Sequence, residues 1–170
     1  MLSGLTGTLL GANKSAKAAY QTLTQQPSFQ QPLSWTSPTF RLSDYELVFL
    51  PGGHEKGMRQ IIDSSHVHQH IASYFPLTKK PSSHCLAAIC HGVQVLAASK
   101  HDDGNGKSVI HECITTALPS FMEQGIFHAT KMFLGDYYKT YGSQSESVQE
   151  IVTKHLNDKR QFVNSHSPSP

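Results

Sequence analysis

Apolar residues recur at three- and four-residue spacing in Ala16, Ala19, Tyr20 and Leu23, which predicts a helix over residues 13–24 with Asn13 as its cap. Residues 46–50, ELVFL, form a short apolar run that stops at Pro51-Gly52-Gly53. That is the pattern of a strand buried on both faces running into a tight turn. Residues 56–62 predict a short helix, and Ser64 or Ser65 opens a second one that reaches Phe75 just before Pro76. Residues 84–89 predict a second buried strand. From Cys90 onward Val93, Val95, Leu96 and Ala97 carry a helical period. After the DDGNGK turn, residues 108–111 predict a third strand, and residues 118–124 and 147–156 predict two further helices. Strands alternating with helices imply an α/β fold with a largely parallel sheet.

The chain has 170 residues, enough for one domain, expected over residues 1–165 with the HSPSP end from 166 to 170 as a tail. A formal charge of +2, with its charges scattered, gives no phosphate-binding footprint, so nucleic acid is not an expected partner. No apolar run approaches the roughly 18 residues that cross a bilayer, and no membrane partner is expected. The opening MLSGLTGTLLGA lacks a basic start and a sustained apolar stretch, so a cytoplasmic location is expected. Three cysteines, Cys85, Cys90 and Cys113, with no CxxC pair argue against a disulfide framework and a cysteine zinc site.

One cysteine stands apart by its position. In Ala87-Ala88-Ile89-Cys90-His91-Gly92 a buried strand delivers Cys90 to a helix start between small residues, as a nucleophile elbow does. A thiol there meets unpaired backbone N–H groups and the positive end of the helix dipole, both of which favour thiolate. The alternative is that Cys90 is one more small buried hydrophobe. The Pro51-Gly52-Gly53 turn ends at the same sheet edge, where open α/β sheets place their sites. The Gly53 and His91 amides are therefore candidate oxyanion donors, and His54 and Glu55 candidate pocket residues.

LVFLPGGHEKG followed about forty residues later by AAICHGVQVLAAS resembles the ThiJ/PfpI family of class I glutamine amidotransferase-like proteins, clearest from residue 44 to 141. The resemblance implies a flavodoxin-like three-layer sandwich with a mainly parallel sheet. It makes Cys90 the nucleophile, His91 the adjoining histidine, and Gly53 with the His91 amide the oxyanion donors. It also implies a cysteine-dependent glyoxalase, deglycase or hydrolase acting on small reactive carbonyls such as methylglyoxal, with no cofactor. A non-catalytic redox-sensing or chaperone-like stress protein is the alternative, because an oxidisable cysteine serves it as well. Glutamine amidotransfer is disfavoured, since no His-x-Glu triplet follows Cys90.

The chain also departs from the family pattern. Relatives open with a strand–helix–strand unit whose loop supplies a glutamate to the cysteine, and they close with a further strand and helix. Residues 1–43 show no such strand or carboxylate, so the fold is expected to be incomplete at both ends and weakly active or inactive. The strand at 46–50 is expected to carry an unpaired edge, which invites aggregation or a homodimer. Ala117 stands where some relatives carry a carboxylate, and neither Glu112 nor Glu123 is in register with it.

The remaining clusters read as structure. His66 and His70 share a helix face while His68 does not, and two ligands do not close a zinc site, so no metal is expected. His111, Glu112 and Cys113 imitate a hydrolase set, but neighbours on a strand point to opposite faces. Trp35, Phe40, Tyr137 and Tyr138 are expected to pack the insertion before the Pro51-Gly52-Gly53 strand onto the sheet.

Overall fold

The computed structural model describes residues 13–164. The tail at 166–170 and the opening segment lie outside them. The described chain forms two compact units that divide between Phe40 and Arg41. In the first, helix α1 (Lys14–Thr24) is capped as expected, the Asn13 side chain accepting the Ala16 N–H at 2.8 Å. None of its residues is buried, so the apolar stripe closes no core. A short α2 (Pro27–Gln30) starts on proline, whose missing N–H costs nothing in a first turn. Beyond it the Trp35 and Phe40 rings meet edge to face, centroids 5.3 Å apart.

The second unit holds β1 (Leu47–Leu50) and β2 (Cys85–Ala88), parallel and in register from Leu47 opposite Cys85 to Leu50 opposite Ala88. The crossover between them carries a 3-10 turn at Lys56–Met58, then α3 (Arg59–Ile62) and α4 (Ser65–Tyr74). Ser64 caps α4, accepting the Val67 N–H at 3.4 Å. At the far end of α4, the Tyr74 hydroxyl lies 3.0–3.2 Å from the carbonyls of Tyr45, Glu46 and Cys85, tying the starts of both strands to the helix. Helix α5 (Gly92–Ala98) follows β2 and is the hub, touching both strands, α3, α4 and α7 (Val148–Thr153). Its Val95 and Ala97, with Val67, Ile71 and Val152, are fully shielded from solvent.

This is a mixed helix and strand fold with an open parallel sheet, consistent with an α/β flavodoxin-like architecture, in which two strands are seen among the described residues. Three expectations need correction. β1 is buried on one face only: Val48 and Leu50 point inward, whereas Leu47 and Phe49 are 59% and 57% exposed. The apolar run concealed an ordinary two-residue alternation.

The third strand does not form, and a single antiparallel bridge joins Lys100 to Ser108. The Ser108 hydroxyl donates to the Leu96 carbonyl at 3.0 Å and accepts the Ile110 N–H at 3.3 Å, which turns the chain. Val109 and Ile110 are buried all the same. Finally, the short helix expected at 118–124 is α6 (Ser120–Leu134), 15 residues long. Its far end is apolar but solvent-facing, with Met132 and Phe133 more than four-fifths exposed.

Candidate active site

The carboxyl ends of β1 and β2 are pressed together by two glycines. A Cβ on Gly52 would stand 2.4 Å from Cys90 Cβ, and one on Gly92 would stand 2.2 Å from the Leu50 carbonyl oxygen. Only hydrogen fits at either place. The Ile89 N–H donates to the Leu50 carbonyl at 3.1 Å and the Gly92 N–H to the Ile89 carbonyl at 2.8 Å. This closes a sharp turn with Cys90 at its apex.

Cys90 has φ +54, the one described non-glycine residue in the left-handed region. That conformation is disfavoured for a side chain bearing a Cβ and is the mark of a nucleophile elbow. The elbow aims Cys90 Sγ to 3.4 Å from His91 Nδ1. His91 itself is buried, and the His54 ring lies edge-on to it with centroids 4.8 Å apart. Tyr138 covers the other side of His54 in the same way, also at 4.8 Å.

The structure thus brings Cys90, His91, Gly53 and His54 together, and the backbone N–H groups of His91 and Gly53 both favour the Cys90 thiolate. Glu55 goes elsewhere. It is exposed, and its carboxylate accepts the Gly57 N–H at 2.6 Å, capping the 3-10 turn.

The thiol itself corrects the sequence reading. Burial is the largest influence on Cys90 and pushes its pKa up, outweighing the two amides, and the Glu123 charge pushes the same way. His91 moves down to about 4, through burial first and then the neighbouring His54 and Lys139 charges. His54 is lowered too, by burial. At neutral pH the pair is therefore a thiol beside a neutral imidazole rather than a ready-made ion pair.

Within electrostatic reach of the site lies a buried ion pair that the sequence pattern does not predict. Glu123 from α6 and Lys139 from the following loop form an ion pair of 3.3 Å, both side chains 97% or more shielded. The second Glu123 oxygen accepts the Val148 N–H at the start of α7, 2.8 Å away. Next to Lys139, the Thr140 hydroxyl donates to the His54 carbonyl at 3.1 Å, so this loop also holds the pocket histidine. The available signal is a lone charge inside an apolar or aromatic stretch, Glu123 in SFMEQGIF and Lys139 in YYKTY.

The other titratable clusters stay structural. His68 in α4 hydrogen-bonds the Ile62 carbonyl at 2.7 Å. His111 and Glu112 do approach, at 3.5 Å, because their segment is a turn and not a strand. His111 Nδ1 nevertheless bonds the His155 carbonyl at 3.2 Å, and the pair stands apart from Cys90. Cys85 is exposed.

An open parallel sheet with a strained cysteine at the strand-to-helix turn gives an α/β protein with the backbone geometry of an elbow at Cys90. The family profile described as ThiJ/PfpI family-like matches residues 1–157, and the chain belongs to that family, consistent with the class I glutamine amidotransferase-like superfamily. Among curated proteins it is similar to an uncharacterized protein of Schizosaccharomyces pombe (strain 972 / ATCC 24843), 23% identical over 156 residues. That match covers 91% of this chain and 55% of the relative, so the chain spans about half the length of the curated relative. No solved structure matches it. Among the described residues no helix is long and apolar enough to cross a membrane.

Proposed function

We propose that the chain carries the reaction centre of a cysteine-dependent enzyme of glyoxalase or hydrolase type acting on small reactive carbonyls, with methylglyoxal the first substrate to test. The observation that carries this reading is the elbow: Cys90 at φ +54 with its sulfur 3.4 Å from His91 Nδ1. A structural cysteine has no need of a strained backbone.

The chemistry follows from the two protonation states. His91, neutral because burial holds it near 4, can accept the Cys90 proton as sulfur attacks the aldehyde carbon. The product is a hemithioacetal whose developing oxyanion faces the Gly53 and His91 N–H groups. With methylglyoxal, the aldehyde hydrogen then moves as a proton from the former aldehyde carbon to the neighbouring carbon, leaving a thioester of lactate. Water hydrolyses that thioester to lactate and regenerates the thiol. Oxidation and reduction balance within the substrate, so no cofactor enters.

Redox sensing is less well supported. Sensor thiols are held low in pKa and open to solvent, whereas Cys90 is half-buried and raised. Three free thiols suit a reducing compartment such as the cytoplasm. A homodimer joined through the open strand edge would be compatible with the β1–β2 sheet.

The test is lactate formation from methylglyoxal by the wild-type chain, Cys90→Ser and His91→Ala. Turnover abolished by the first change and lowered about 10²- to 10⁴-fold by the second fits general-base assistance. Undiminished turnover in Cys90→Ser would overturn the proposal.

A further inference from the structure

A second property of the same residues goes beyond turnover. His54, Cys90 and His91 each offer one donor atom, and the three atoms lie within 4.8 Å of one another. We infer that these three residues form a binding site for a single thiophilic divalent ion, zinc, which masks the nucleophile when bound.

The geometry is close to what zinc requires. Zn–S of about 2.3 Å and Zn–N of about 2.0 Å in a tetrahedron place sulfur and nitrogen about 3.5 Å apart. Cys90 Sγ and His91 Nδ1 already stand 3.4 Å apart. The His54 donor atom lies within 4.8 Å of the other two, its ring edge-on between the His91 and Tyr138 rings and in hydrogen-bond contact with the Tyr138 backbone.

Second, His54 Nδ1 is buried without a hydrogen-bond partner among the described residues, although a buried polar atom ordinarily has one. Third, the donors need no folding to assemble. The Gly52 contact with Cys90 clamps the turn bearing His54 against the turn bearing Cys90 and His91.

The donor set also selects the ion. A thiolate with two imidazoles suits zinc, while magnesium and calcium demand several oxygens. The nearby carboxylate of Glu123 is engaged by Lys139 and the Val148 N–H. The pattern escaped the sequence because its ligands are an adjacent Cys-His pair and a histidine 36 positions upstream of Cys90, not a spaced motif.

On binding, the Cys90 S–H bond breaks, its proton leaves to water, and the sulfur lone pair forms the Sγ–Zn bond. No electron changes owner. The fourth position is left to water, and a chelator reverses the step. While zinc is bound, neither the sulfur lone pair nor the His91 nitrogen is available for carbonyl chemistry.

The test uses the tag-free full chain with cobalt(II) as a spectroscopic probe and zinc as competitor. The expected result is one cobalt per chain with a thiolate-to-cobalt charge-transfer band and tetrahedral d–d bands, both displaced by zinc. The charge-transfer band should vanish in Cys90→Ser. Affinity should fall at least tenfold in His54→Phe, which keeps the ring packing, and in His54→Asn, which serves if the first variant does not fold. The double variant His66→Gln/His70→Gln should bind as wild type does, excluding the surface pair. Zinc should also slow iodoacetamide modification of Cys90 at least tenfold, with recovery after EDTA.

Absence of the charge-transfer band, its survival in Cys90→Ser, or its loss with the helix pair would overturn the inference. This inference shares residues with the proposed active site but is read by metal alone. Lactate production without the band defeats the zinc site, whereas the band without lactate production defeats the enzymatic reading.

Discussion

Lys139 Nζ stands 3.3 Å from Glu123 Oε1 with both side chains buried, and the Glu123 charge acts on Cys90 while the Lys139 charge acts on His91. Removing one partner leaves the other charge buried and unopposed, a loss of about 3–5 kcal/mol. Urea unfolding should show this for Glu123→Gln and for Lys139→Met. Glu123→Leu/Lys139→Met should be more stable than either single variant, short of wild type by about 1 kcal/mol for the Val148 N–H left without its acceptor. Single-variant losses that simply add in the double variant would show that the two charges are not coupled.

The same glutamate adds its charge to the effect of burial on the thiol. Burial and the Glu123 charge hold the Cys90 pKa above its ordinary value of 9.0. Its alkylation by iodoacetamide, followed by mass spectrometry of the Cys90 peptide, should therefore climb from pH 7 to pH 9 without levelling off. In any Glu123→Gln protein that remains folded, the rise should begin at lower pH. A plateau below pH 7 in the wild type would mean that the amides outweigh burial.

Acid should destabilise the fold in a defined window. His91 is held at about 4 against an ordinary 6.5, so between those values the unfolded chain takes up a proton that the folded chain refuses. Stability is full above pH 6.5 and declines as pH falls toward 4, by up to about 1.4 kcal/mol per pH unit from this ring. His54, also lowered by burial, adds in the same direction. Denaturant midpoints measured at half-unit intervals should slope accordingly, and His91→Gln should flatten the slope. Equal slopes in the two proteins would remove His91 from the account.

Neighbouring glycines should respond differently to one methyl group. Gly52→Ala and Gly92→Ala drive a Cβ into backbone or Cys90 and should cost about 1–3 kcal/mol or more, with loss of Cys90 chemistry. Gly53→Ala meets only the flexible Met58 side chain at 3.4–3.7 Å and keeps its N–H. It should fold within about 0.5 kcal/mol of wild type. Thermal melts of the three variants decide the matter, and equal losses at positions 52 and 53 would contradict the close approach.

What the sequence disclosed was what short-range order decides. The caps at Asn13 and Ser64, the ends of β1 and β2 and the cysteine at the turn all follow from neighbours a few residues apart. The failures arose where partners are distant. Residues 108–111 look extended by composition, yet the Ser108 hydroxyl finds Leu96 across the fold and bends them. The direction of the Cys90 shift depends on burial and on the charge of the distant Glu123, which no local pattern encodes. Glu123 and Lys139 lie 16 residues apart and became partners only through a helix longer than its periodicity suggested.

The steric interlock of Gly52 and Gly92 with the opposing strand ends has a consequence for how such a centre diversifies. The thiol is located by main chain against main chain, so its coordinates do not depend on the identity of any side chain on the rim. Under the proposed function, His54 and Tyr138 can be exchanged to recast the pocket for larger or more polar carbonyls while the sulfur stays where it is. A library randomised at those two positions should therefore retain the elbow in most of its members, and selection would act on substrate preference alone.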